Sequence, residues 1–160
     1  MAESMRERVL VALEARLKTM TGTRFWGGGY IDDPSVQRKL AAPEAVTQFP
    51  HLSVIEGTLD GPGSTVALEV TAGTEVGLRH TFRLLLAGYV SADPTIGAST
   101  WLQRLWADCL LTLMADSTLG GLVQAVQWGE SVETDEGSLD PIAAFVQPLT
   151  VIFHETFTTD

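Results

Sequence analysis

The sequence predicts an α+β domain: a largely antiparallel or mixed sheet of four to five strands, packed by two main helices, with a long irregular arm near residues 22–50. Three observations predict it. Apolar residues recur at three- and four-residue spacing in two separated segments, one near the start and one after residue 100. Other segments alternate apolar and polar residues, as half-buried strands do. Strands also follow one another closely instead of alternating with helices, which argues against a doubly wound parallel sheet.

The elements follow in order. Leu10, Leu13, Leu17 and Met20 form a helical stripe, with Arg6, Glu7, Glu14, Arg16 and Lys18 off it, and Thr21-Gly22-Thr23 ends the helix. Residues 23–50 show no sustained period and carry Gly27-Gly28-Gly29, Asp33-Pro34, Ala42-Pro43 and Phe49-Pro50, all turn or breaker signals. His51 to Thr58 is a short apolar strand. Val66, Leu68 and Val70 alternate with polar or small neighbours, and Ala72-Gly73-Thr74-Glu75 turns that strand into a longer one over 76–90. On this second strand Leu78, Phe82, Leu84 and Leu86 share one face. The opposite face changes from Arg79, Thr81 and Arg83 to Leu85, Ala87 and Tyr89, so its far half is apolar on both sides and needs a cover.

Thr100-Trp101-Leu102-Gln103 fits a capping box at the start of a second helix. Leu102, Leu105, Trp106, Cys109, Leu110 and Leu113 give its stripe, and Asp116 to Gly121 stops it. Leu122 to Val132 reads as a strand, Glu133 to Ser138 as an acidic turn, and 142–157 as the last strand. Pro148 within that strand cannot donate to a ladder and belongs at an edge or a bulge.

A chain of 160 residues with 45% apolar content is expected to be one domain over residues 1–160. At this size roughly 70% of the unfolded surface is buried, enough for a core without disulfides or metals. No apolar run approaches the roughly 18 residues a membrane span needs. The charged start without a signal-peptide core, the single Cys109 and the lack of any Asn lead to the expectation of a soluble chain made in a reducing compartment. The net charge of −10 is unevenly placed: residues 1–104 hold 11 acids and all 10 bases, residues 105–160 nine acids and no base. That distribution excludes the basic face of a nucleic-acid binder and disfavours adhesion to anionic membranes. It fits a solvated acidic face, or a surface set beside a polyanion that must not stick to it.

Candidate chemistry is sparse. His51, His80 and His154 are scattered without metal-ligand spacing, so no catalytic residue, metal or cofactor is expected. Each reads as a strand histidine with a backbone partner. Cys109 sits on an apolar stripe, where a thiol is an inert small hydrophobe. No GxSxG elbow is present. Trp26-Gly27-Gly28-Gly29-Tyr30 lacks the GK[ST] ending of a phosphate loop, and the acidic segment 130–140 lacks the order of an EF-hand. Phe25, Trp26 and Tyr30 are either interface anchors or rings folded back on the core.

The order of elements resembles the tail-terminator, or tail-completion, proteins of long-tailed bacteriophages. The resemblance rests on the helix Met5–Met20, the hairpin strand with Arg79-His-Thr-Phe-Arg-Leu-Leu-Leu, the segment Trp101–Met114 followed by Asp116-Ser-Thr-Leu-Gly-Gly121, and the terminal Ala143-Ala-Phe-Val-Gln-Pro-Leu-Thr-Val-Ile-Phe. It spans most of the chain as a pattern of elements; 22–50 has no counterpart in it. It implies a virion protein, assembled in the host cytoplasm, whose hexameric ring caps the last ring of the tail tube protein, stops tube polymerisation and presents a surface to the head connector or stopper protein. DNA would pass through without specific binding, and no catalysis or cofactor is implied.

A ring closes through two different complementary patches. Candidates are the face of Leu85, Ala87 and Tyr89 and the loop with Phe25, Trp26 and Tyr30. Glu130, Glu133, Asp135 and Glu136 are candidates for an acidic lumen or an acidic surface. Other readings are a head-completion or stopper neck protein, a tail-tube subunit, a small hydrolase with a Ser/His pair, or an acidic regulatory or immunity protein.

Overall fold

The computed structural model describes residues 3–20, 35–39, 45–59, 61–70, 73–92, 96–130, 132–139 and 142–158. Within them lie α1 (Met5–Leu17), β1 (Ser35–Gln37), β2 (His51–Glu56), β3 (Thr65–Val70), β4 (Glu75–Ser91), α2 (Ala98–Ala115), β5 (Ala125–Trp128), β6 (Glu133–Leu139) and β7 (Ile142–Thr158). The class is α+β, with two helices and a mixed sheet.

Among the described residues seven strands replace the four to five expected: the additions are β1, inside the segment expected to be irregular, and β6, expected as a turn. β4 and β7 pair antiparallel along their whole lengths, from Glu75↔Thr158 to Ser91↔Ile142. On the outer side of β4, β2 pairs with one half and β3 with the other. On the outer side of β7, β5 and β6 divide the strand in the same way. β1 adds a parallel strand beside β2.

Pro148 explains the interruption between β5 and β6. It lies in a central strand, opposite Leu85, and its carbonyl accepts from the Gly129 N–H at 2.9 Å. A strand residue directs its N–H and C=O to the same side, so the missing proline donor faces the gap at 129–132, where no ladder has to be completed. A Cβ on Gly129 would sit 2.7 Å from the Pro148 oxygen, so only glycine allows this approach. The buried Gln147 side chain ties the gap to the helix layer. Its Nε2 donates to the carbonyls of Gly129 (2.9 Å) and Pro148 (3.0 Å), and its Oε1 accepts from Trp106 Nε1 at 3.0 Å.

Both helices lie on one face of the sheet. Val9, Leu13 and Leu17 from α1, Met20 just past its end, and Trp101, Leu102, Leu105, Cys109 and Leu113 from α2 are buried against Phe82, Leu84 and Leu86 of β4 and Phe145, Leu149, Val151 and Phe153 of β7. α1 starts with a capping box: Ser4 Oγ accepts from the Glu7 N–H (3.2 Å) while Glu7 Oε2 accepts from the Ser4 N–H (3.3 Å). α2 has none. It begins two residues before Thr100, with extended Gly97 as N-cap and no side-chain cap bond, so the expected Thr100–Gln103 box lies inside the helix. The acidic segment expected as a turn over 133–138 is instead β6, paired with β7 through Glu133↔Val146, Thr134↔Phe145 and Asp135↔Ala144. A polar segment takes strand form here because the open edge of β7 supplies its ladder.

Candidate interaction surfaces

The second face of the sheet changes character along β4 as the alternation requires. Glu69, Arg79 and His154 sit at its polar end and Ile55, Leu85 and Pro148 at its apolar end, aligned by register. Ala87 and Tyr89 are buried within the single chain, and Leu85 is half-buried. The Tyr89 ring stacks on His51 at 6.0 Å. His51 in turn places its Nδ1 and Nε2 each 3.2 Å from a serine hydroxyl, Ser35 and Ser53 respectively. Of the three candidate patch residues on β4, only Leu85 keeps appreciable surface. Phe25, Trp26 and Tyr30 lie outside the described residues.

Burial lowers the pKa of His51 below the ordinary histidine value, because the imidazolium loses hydration there. The unfolded chain therefore takes up this proton at a higher pH than the folded chain. Stability should fall as pH drops through about 6.5, and the loss should be complete below the folded pKa. Denaturant midpoints measured between about pH 8 and pH 5 should show this slope, and His51→Gln should flatten part of it. An equal slope in the variant would assign the effect to other groups.

The other histidines also take side-chain partners in place of the backbone partners expected. His154 Nδ1 lies 3.1 Å from Glu69 Oε2, and its Nε2 3.1 Å from Gln124 Oε1. His80 stacks on Phe153 with ring centroids 4.4 Å apart, and its Nε2 is 3.6 Å from Glu155 Oε1. Cys109 is buried, and desolvation with the neighbouring Asp108 charge pushes its thiol pKa far up. Among the described residues, no three His, Cys, Asp or Glu side chains are grouped to hold a metal, and no helix is long and apolar enough to cross a membrane. No carboxylate among them hydrogen-bonds a ring nitrogen of His51, so its contacts with Ser35 and Ser53 do not extend to a triad.

Glu130, just past β5, and Glu133, at the start of β6, are both exposed. The side chains of Asp135 and Glu136 lie outside what the structure describes.

The helix-side face carries a surface that the sequence reading assigns to the core. The register aligns Val66 with His80 and Phe153, and Leu68 with Leu78 and Glu155. It also pairs Val76 with Phe157. Among the described residues the helices leave Val66, Leu68 and Phe157 uncovered. Leu68 is 66% exposed, Phe157 49% and Val66 48%, on a three-stranded ribbon whose outer strand, β3, has no further partner among the described strands. At the diagonally opposite corner a groove of about 170 Å³ opens between α2 and β6, lined by Leu102, Gln103, Trp106, Val132, Thr134 and Phe145.

No protein-family model and no curated protein sequence matches the chain.

Proposed function

We propose that this chain is a tail-terminator protein: a structural virion subunit, assembled in the host cytoplasm, that forms a hexameric ring on the last ring of the tail tube. The ring stops tube polymerisation and offers its other side to the head connector or stopper protein. What supports the reading is the order of elements that carries the resemblance, realised in an α+β subunit. Its helices cover one sheet face, and both sheet edges are open among the described strands. Open edges and unpartnered apolar surface suit a subunit that meets copies of itself. Placed along the DNA passage, the acidic stretch that carries Glu130, Glu133, Asp135 and Glu136 repels phosphates, so the duplex slides without being held.

The test is direct. Purified chain mixed with headless tail tubes should place six-fold rings at one end of each tube by negative-stain microscopy, and added tube protein should no longer extend that end. A chain that ignores tubes and binds filled, tailless heads would instead be a head-completion or stopper protein.

A further inference from the structure

We propose that the cleft beside the segment Gly57–Leu59, on the sheet face away from the helices, binds a carboxylate, with the Arg83 guanidinium as its anchor. The site goes beyond the ring reading and does not depend on it. Arg83 alternates with Phe82 and Leu84, which face the helix layer, and so belongs to the other face, opposite Thr150. Its row falls between β2 and β3, where the ladder on that side of β4 is interrupted. The backbone is held there all the same: the Arg83 N–H donates to Ser64 Oγ at 2.8 Å, and its carbonyl accepts from the Gly57 N–H at 3.1 Å. At this row a cleft of about 280 Å³ opens, lined by Thr58, Leu59, Arg83, Pro148 and Thr150, with the exposed Glu133.

Arg83 is half-buried, and its Nε is closed off from solvent without a hydrogen-bond partner among the described residues. The guanidinium has no ion pair among them either. With Nε closed off, the charge can be met only at the two outer nitrogens. A shielded, unpaired guanidinium destabilises the free chain, and an oxyanion offsets that cost where charges attract more strongly than in water. Two oxygens match the guanidinium fork, and the hydroxyls of Thr58 and Thr150 can donate to them as well. Two features choose a carboxylate over a phosphate. Leu59 and Pro148 give an apolar wall for a short carbon stem. Glu133 repels any anion, and a multiply charged phosphate more than a singly charged carboxylate.

A free small acid and a glutamate side chain of another copy carry the same group. Butyrate is therefore the probe, titrated at constant ionic strength and followed by backbone amide NMR shifts. Saturable shifts should appear at Gly57, Thr58 and Thr150. Arg83→Met should weaken binding roughly tenfold or more, the usual loss of a charge-assisted hydrogen bond. Glu133→Gln should tighten it. A wild-type response no stronger than that to chloride overturns the site, as does binding that Arg83→Met leaves unchanged. Tighter binding of inorganic phosphate than of butyrate overturns the choice of a carboxylate. Arg83→Met keeps the apolar stem and removes the unpaired charge, so without butyrate its melting temperature should equal or exceed wild type. A fall of several degrees would make Arg83 a structural residue and overturn the site as well. Sedimentation assigns the source: an assembly that butyrate dissociates has a neighbour's glutamate in the cleft, and an unchanged mass leaves a free acid.

Discussion

Phe153→Ala is expected to destabilise the subunit by about 3–5 kcal/mol, the usual cost of deleting a fully buried aromatic ring. Phe153 is completely buried, its ring lies 4.4 Å from the His80 ring in a nearly parallel stack, and it meets the Phe82 ring edge-on at 6.3 Å. Phe82 in turn carries the Arg6 guanidinium 4.9 Å above its ring. Removal of one ring therefore leaves a cavity bordered by both central strands and the start of α1, and the strands cannot close over it without breaking the β4–β7 ladder. It also strips the stacking partner from His80, whose ring nitrogens have no hydrogen-bond partner among the described residues. Against a total stability of roughly 5–15 kcal/mol, the loss is large. It corresponds to a melting temperature lower by about 8–16 °C for a chain of this size. Calorimetry checks it; a shift of only a few degrees would mean that the helix layer collapses onto the sheet more freely than the register suggests. Phe153→Leu, which keeps most of the volume, should recover most of the stability.

Much of this core is legible in the sequence, and the reason is periodicity. β4 over Glu75–Ser91 and β7 over Ile142–Thr158 differ by only one residue at an end from the alternation-based expectation, because each alternates against the same helix layer for many residues. What escapes has identifiable causes. Glu133 to Ser138 has the composition of a turn, and only the edge of β7 makes it a strand. Thr100 offers a good cap, but Gly97 adopts the extended N-cap conformation earlier and the helix starts there. Val66 and Leu68 follow the core alternation and still face outward, a result that simple lengths could have given. Seventeen residues of strand span roughly 55 Å. The eighteen residues of α2 span about 27 Å and α1 less, so two helices cannot cover such a sheet from end to end. The ribbon surface is therefore a consequence of element lengths, whereas the groove at β6 depended on a strand the composition hides.

Gly88→Ala should be nearly as damaging as the loss of the ring at 153, although it adds a single methyl group. Gly88 is paired with Phe145 across β4 and β7, and the Phe145 ring lies over the glycine: a Cβ there would sit 2.3 Å from Cε1 and 2.6 Å from Cζ. Far-end atoms of a flexible side chain can often yield, but this ring is 1% exposed and packed in the core. Its displacement is expected to cost about 3 kcal/mol, at the upper end of overpacking effects. A coupled variant separates this clash from a general intolerance of alanine in the strand. Gly88→Ala/Phe145→Leu should be more stable than the sum of the two single losses by 1 kcal/mol or more, since the shortened side chain makes room for the methyl group. Additive losses would place the cost elsewhere.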